Sequence, residues 1–342
     1  MNMRLRNVLY SVAVLLLMLA VWKYRASKAS EPIKLEGKTM GTSYHITYFD
    51  GAQRNFQTSV DSLLVLVNKS ISTYDTTSEI SRFNRGTRSF KFHLPYFLPP
   101  LKKSREVVQG SQGAYDPTVM PLVNAWGFGP KKVVRPDTAE VLRVKAYVGF
   151  EKIDFNGDSV WKSDPHVQID FSAIGQGYGA DVIADFFKSK SIQNFFIELG
   201  GEGVAMGKNL KEDRTWEIGI LDPNSDYVEQ KFMAYATLKN KAFTTSGNYF
   251  NYREVDGKKY SHTIDPVSGF PVEHPLLSAT VFAADCSTAD AWATAFMSMG
   301  HEKAIETLKS HPELTVFFII SGENGFELYS SPTLGDDLRL AK

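Results

Sequence analysis

Along residues 167–171, Val167, Ile169 and Phe171 alternate with Gln168 and Asp170, the period-two pattern of a half-buried strand. Gly175, Gly177 and Gly179 follow at every second position, and then Val182, Ile183, Phe186 and Phe187 recur at helical spacing. The pattern predicts a strand, a glycine loop and a helix, a layout in which backbone N–H groups and a helix N-terminus attract phosphate oxygens. Elsewhere Tyr44, Ile46 and Tyr48 mark one face of a strand, and residues 56–71 read as a helix. A second helix is expected over 102–113, ending at glycine, and a third near 138–147. Residues 194–283 read as a meander of short strands, 287–309 as helix, and TVFFIISG (315–322) as a closing strand. Strands and helices mix without strict alternation, so the predicted fold class is α+β, one unit from Leu35 onward in two closely packed lobes.

The glycine segment has a competing reading. GQGYGA fits the dinucleotide fingerprint G-x-G-x-x-A, and Glu198 ends a following strand about 20 residues on. That would make the chain a nicotinamide- or flavin-dependent oxidoreductase. The meander after Glu198 opposes it, because a Rossmann half requires another long helix there. A purely structural role also stands, in which the glycines permit close helix–strand packing.

Residues 1–30 separate from the rest. Arg4 and Arg6 precede VLYSVAVLLLMLAVW, fifteen residues without a charge, which suits a signal-peptide core or a short membrane anchor. Ser27-Lys28-Ala29 is a passable cleavage site, but Trp22 and Tyr24 beside the apolar run favour an uncleaved anchor. In either case residues 31–342 are expected outside the cytoplasm. The chain has 342 residues with 38 basic and 38 acidic side chains, so no basic excess points to nucleic acid. The single cysteine, Cys286, excludes an internal disulfide framework and a Cys-rich zinc site. Its place at the start of an apolar helix predicts a buried, inert thiol.

Candidate chemistry gathers around the glycines. Asp170 and Ser172 set a carboxylate and a hydroxyl beside the expected backbone donors, or else cap a turn. Asp290 and Thr294 lie four residues apart on an otherwise small-sided apolar helix with Ser287 or Thr288 as its expected N-cap. Carboxylate, hydroxyl and carbonyl oxygens are hard donors that suit magnesium. From spacing alone the simpler reading is favoured, with Asp290 near a positive helix end and Thr294 bonded back to a carbonyl. His262 sits in an extended segment before an Asp265-Pro266 turn, and TTSGNY (244–249) reads as a hydroxyl- and glycine-rich turn that either donates to phosphate oxygens or is only a turn.

Taken in order, MGTSYHITY (40–48), STYDTTSEISRFN (72–84), GAYDPTV (113–119), IDFSAIGQGYGAD (169–181), ELGGE (198–202), TTSGNY (244–249), SHTIDPVSG (261–269) and STADAWATA (287–295) resemble the ApbE-type flavin transferases of bacteria. The resemblance covers residues 35 to about 330. It implies an α+β domain with its active site in the cleft, and a magnesium-dependent cut of FAD between its phosphates. FMN would pass to a threonine hydroxyl of an acceptor flavoprotein, and AMP would leave. Met40, Tyr74, Ala114, Tyr115, Asp116, Asp170 and Ile264 match positions that hold FAD. Ala173, through its carbonyl, Asp290 and Thr294 match the metal ligands. Gln176 departs from a lysine usual in that family and offers the phosphates an amide in place of a charge. His262 and Asp265 are candidates for the base by location. The resemblance further implies the inner membrane, a periplasmic catalytic domain, and acceptors among flavoprotein subunits of membrane respiratory complexes. Hydrolysis of FAD in the same site, or FAD binding without turnover, are the alternatives.

Overall fold

A computed structural model describes residues 31–129, 137–225, 230–248, 252–255 and 258–341, with Met3, Arg6, Asn7 and residues 9–18 of the N-terminal segment. Residues 9–18 are helical and exposed, and among the described residues no helix is long and apolar enough to cross a membrane. Most of the expected signal or anchor, residues 1–30, lies outside the described residues.

In chain order the first elements are β1 (Ile33–Thr39), β2 (Thr42–Tyr48), α1 (Gln57–Ile71), α2 (Glu79–Arg85), β3 (Ser89–Lys91), α3 (Leu98–Gly110), α4 (Met120–Ala125) and α5 (Thr138–Lys145). Next come β4 (Ile153–Phe155), β5 (Ser159–Lys162), α6 (Gly175–Ser189), β6 (Phe195–Leu199), β7 (Glu202–Met206), β8 (Lys208–Asn209), β9 (Arg214–Leu221) and β10 (Phe232–Leu238). The chain closes with β11 (Ala242–Gly247), β12 (Tyr252–Val255), β13 (Lys258–Ser261), β14 (Leu276–Ala283), α7 (Cys286–Met299), α8 (His301–Leu308), β15 (Thr315–Gly322), β16 (Gly325–Ser330) and β17 (Leu338–Leu340).

β15 explains the layering. Its apolar run Val316 to Ile320 is buried throughout, because both faces of the strand are covered. Val316, Phe318 and Ile320 pack with α7, whereas Phe317 and Ile319 pack with a second sheet. β15 belongs to an eight-stranded antiparallel sheet of order β1-β2-β6-β7-β11-β14-β15-β16. One face carries α1, α6 and α7, and the opposite face stacks on the sheet β17-β10-β9-β8 through Phe243, Phe282, Trp216 and Ile220. Across from this body a smaller apolar cluster joins α4, α5 and the 264–270 turn through Leu122, Trp126, Val141, Val144 and Ile264. These are the two lobes expected from sequence, of unequal size.

Several local expectations change. Residues 167–171 form no strand beyond a single bridge from Gln168 to Val119, and the three glycines lie inside the first turns of α6, not in a loop. The helix expected over 102–113 starts earlier, since Pro99 and Pro100 occupy first-turn positions that need no N–H partner. The helix over 287–309 is two helices, parted at Gly300 with φ 77°, and Asp285 caps α7 in place of Ser287 or Thr288 by accepting from Thr288 N–H. Thr244 to Gly247 belong to β11, paired with β14, so the expected turn is strand as far as Gly247. α2 and α4 are short helices that the hydrophobic pattern did not announce.

The bridge segment is extended without a sheet, so side chains must hold it. Asn84, at the end of α2, donates Nδ2 to the Ile169 carbonyl and accepts from Ile169 N–H, both at 2.8 Å. Lys162 Nζ reaches the carbonyls of Phe83, Asn84 and Val167 at 3.0–3.3 Å, and Asp170 N–H donates to Pro117 at 2.7 Å. Asp170 is thus presented by a backbone clamped on both sides. Asn84→Ala should leave the buried Ile169 backbone unpaired and lower stability by about 2 kcal/mol, read as a lower midpoint in urea.

Candidate active site

A cavity of about 950 Å³ opens between the main body and the smaller lobe, near the upper end of the usual size range for ligand sites. Its floor is made where α6 and α7 meet. A Cβ on Gly177 would lie 2.5 Å from the Cys286 carbonyl oxygen and 2.9 Å from Asp290 Cβ, so only glycine fits this crossing. At the same point Gly177 N–H donates to Asp290 Oδ2 at 3.0 Å. The reciprocal contact comes from Asp181, one turn along α6. Its carboxylate accepts from the N–H groups of Cys286 and Ser287 and from the Ser287 hydroxyl.

Asp290 is 5% exposed, and burial pushes its carboxyl up to about 7 against the Gly177 hydrogen bond, with the Asp181 charge adding to the rise. Thr294 and Ala173 line the same floor, so the three expected metal-ligating positions come together. Among the described residues no group of three or more His, Cys, Asp or Glu side chains gathers as a metal site, so a cation here would rely on mixed oxygen donors. The chemistry fits: a buried carboxylate with one N–H partner still has lone pairs to offer a hard ion.

Around the floor stand most of the other expected residues. Tyr74 lines the mouth and is 72% exposed, while Ala114, Tyr115 and Asp116 form a buried wall and Ile264 reaches in from the smaller lobe. Tyr115 hydroxyl pairs with Ser104 Oγ at 2.8 Å, and burial raises its pKa. Asp116 is occupied internally: it accepts from Thr118 N–H, Thr118 hydroxyl and Phe150 N–H. Burial still raises its pKa against those bonds. Asp170 accepts from the Ser172 N–H and hydroxyl, and burial raises its carboxyl too. Gln176 lies beside the Gly200–Gly201 turn, where a Cβ on Gly200 would come 2.7 Å from its Nε2. His262 is exposed on the cavity wall.

Two expected residues stand apart from the lining. Met40, at φ 50° in the two-residue turn between β1 and β2, packs onto the core beside Gly179. Asp265 accepts from Val267 and Ser268 N–H groups and caps its own turn. Glu198, the acidic residue of the dinucleotide reading, holds Gly201 N–H and pairs with His45, away from the lining. Thr245 and Ser246, hydroxyls of the TTSGNY stretch and now part of β11, line the site. So does Glu202, the first residue of β7, which the sequence reading left unassigned. A charge at the head of EGVAM, where every residue up to Ala205 is buried, was the available signal for Glu202. The charge balance is one-sided: the described lining holds Asp116, Asp170, Glu202 and Asp290 and no lysine or arginine.

Fold and cleft together define an α+β protein with an acidic, oxygen-rich nucleotide-sized site. Residues 40–318 match the ApbE family, and the chain belongs to it. It is 37% identical over 336 residues to the FAD:protein FMN transferase of Vibrio cholerae, covering 96% of this chain and 97% of that one. Identity to the FAD:protein FMN transferase of Haemophilus influenzae is 36% over 320 residues, covering 89% and 91%. Among solved structures, the flavin transferase ApbE from Vibrio cholerae superposes with a TM-score of 0.81 at 36% identity, covering 90% of this chain and 99% of that one. The apo form of the Pseudomonas stutzeri flavinyl transferase ApbE gives 0.79 at 30% identity, covering 90% and 96%.

Gly177→Ala should force α6 and α7 apart by overpacking against backbone, at a cost of about 1–3 kcal/mol. The expected result is a lower melting temperature.

Proposed function

We propose that this protein cuts FAD between its two phosphates and transfers the FMN half, through its phosphate, to a threonine hydroxyl of an acceptor flavoprotein, releasing AMP. Membership of the ApbE family and the named activity of relatives at up to 37% identity support the transferase reading. The observation that carries the chemistry is the acidic lining. Among the described lining residues a pyrophosphate meets four carboxyl groups and no lysine or arginine, so a cation would supply the positive charge that the phosphates need. Asp290, Thr294 and the Ala173 carbonyl would hold magnesium, which would neutralise phosphate charge as the bond to AMP breaks.

The chain's own residues then bind and orient. The Gln176 amide and the hydroxyls of Thr245 and Ser246 are dipolar donors for phosphate oxygens, and Tyr74 and Ile264 give apolar surface to a ring system. The acceptor's hydroxyl oxygen forms the new bond to the FMN phosphorus, while the electron pair of the broken bond leaves on the AMP phosphate. His262, exposed at the wall where a second protein can reach, is positioned to take the hydroxyl proton. No nucleophile of this chain is required, because the acceptor brings it.

The test is FAD plus magnesium, with and without a threonine-bearing acceptor, followed for AMP and protein-bound flavin. Acceptor-dependent AMP with flavin on the acceptor supports transfer. Acceptor-independent FMN and AMP would instead mean hydrolysis, and neither product would mean flavin binding alone. Asp290→Asn keeps the shape but removes the charge that attracts the metal. It should lower transfer by at least about 100-fold while the metal-free melting temperature stays near that of the parent. Normal transfer by this variant at limiting magnesium would remove Asp290 from the metal site.

Arg4 and Arg6 ahead of the fifteen-residue charge-free run support a periplasmic catalytic domain attached to the inner membrane, with acceptors among flavoprotein subunits of respiratory complexes there. Reporters joined after residue 40 check this: alkaline phosphatase should be active and a cytoplasm-only reporter silent. The opposite pattern would place the domain in the cytoplasm.

A further inference from the structure

Glu202 has no role in the reading above, and its surroundings are unusual for a structural glutamate. It is 9% exposed, it lines the cavity, and its Oε2 is buried without a hydrogen-bond partner among the described protein atoms. A carboxyl group desolvated in this way either keeps its proton or is met by a ligand or cation. Its position is fixed by the hairpin before it. Gly200 and Gly201, both at positive φ, turn β6 back so that Leu199 pairs with Glu202, and Glu198 holds the turn by accepting from Gly201 N–H. β7 in turn packs against both α6 and α7. Burial, and after it the charge of Asp290, hold the Glu202 carboxyl well above its usual range, so the two groups share one electrostatic environment.

We propose that Glu202 is the second carboxylate of the cation site built on Asp290, so that the protein holds a divalent cation before FAD arrives. The proposal rests on the reading of Asp290, Thr294 and Ala173 as the cation's ligands. Two carboxylates match the charge of one divalent ion, and ligand charge count is what tunes the affinity of such oxygen sites. With Asp290 alone, the ion would depend on the substrate phosphates for its remaining charge balance. With Glu202 as well, the site is neutral when loaded, and the pyrophosphate meets a wall whose most buried charges are already compensated.

The experiment is calorimetric titration of the FAD-free protein with magnesium chloride, beside Glu202→Gln, Glu202→Asp and Asp290→Asn, with melting curves in EDTA and in excess magnesium. The parent should bind magnesium without FAD and gain melting temperature from it. Glu202→Gln should weaken that binding at least about tenfold and shrink the magnesium-induced shift, while its melting temperature in EDTA is no lower than the parent's. Glu202→Asp, which keeps the charge and shortens its reach, should fall between the two. Magnesium affinity unchanged in Glu202→Gln but lost in Asp290→Asn would overturn the role of Glu202 and leave the cation site standing. A parent that binds no magnesium without FAD would also overturn the proposal, and the need for magnesium in AMP release would then test the site on its own.

Discussion

Helices α6 and α7 approach so closely at Gly177 that a single methyl group would strike the backbone of the neighbouring helix. The approach is locked from both sides. α6 gives a backbone N–H to Asp290 of α7, and α7 gives two backbone N–H groups and a hydroxyl to Asp181 of α6. Gly177 and Asp181 are one turn apart on α6, as Cys286 and Asp290 are on α7, so the contacts interleave on facing stripes. The N-terminal ends of two helices therefore converge beside the cavity, and their partial positive charge offsets part of the cost of burying Asp290. The site's most buried charge and the packing of the helical layer are one constraint.

That constraint alters what the glycines do. In a phosphate-binding loop the glycine N–H groups are free to face the anion. Here Gly177 N–H is committed to Asp290, and Tyr178 N–H donates to the Ile174 carbonyl as part of the helix. Glycine at alternate positions reads the same in both cases, because close backbone approach to a phosphate and close approach to another helix make the same steric demand. The choice between them depends on Cys286, more than a hundred residues away in sequence.

Much of the architecture was legible. The alternation of Tyr44, Ile46 and Tyr48, the helical spacing over 56–71, and the apolar run of β15 are local patterns, and each produced the expected element. What failed was non-local. The segment 167–171 alternates like a strand but has a partner at one residue only, and Asn84 and Lys162 hold its backbone where a ladder would. In the site, Asp290 and Thr294 were visible as a carboxylate and hydroxyl on one helical face, yet spacing could not tell a metal ligand from a helix-end charge. Asp265 and Asp116 show the reverse case, since their carboxylates are occupied by turn and loop N–H groups that sequence does not reveal. Glu202 escaped because a glutamate after Gly-Gly looks like a turn residue until the strand behind it is found to be buried.

The cleft also gives Gln176 a physical context. A lysine at that place would bring a permanent charge to the phosphates, and an amide brings only a dipole. With no lysine or arginine in the described lining and four carboxylates there, the attraction for a pyrophosphate has to come from elsewhere. Helix ends contribute partial charges that fall off within a turn, and hydroxyls such as Thr245 add neutral hydrogen bonds that are roughly half as strong as charged ones. Neither supplies a full positive charge. A divalent cation held as proposed would reverse the sign of that floor, with Asp290 and its neighbours supporting the ion that the phosphates meet. On the proposed reading, the same acidic residues that disfavour FAD without a cation are the ones that would make its binding depend on the metal.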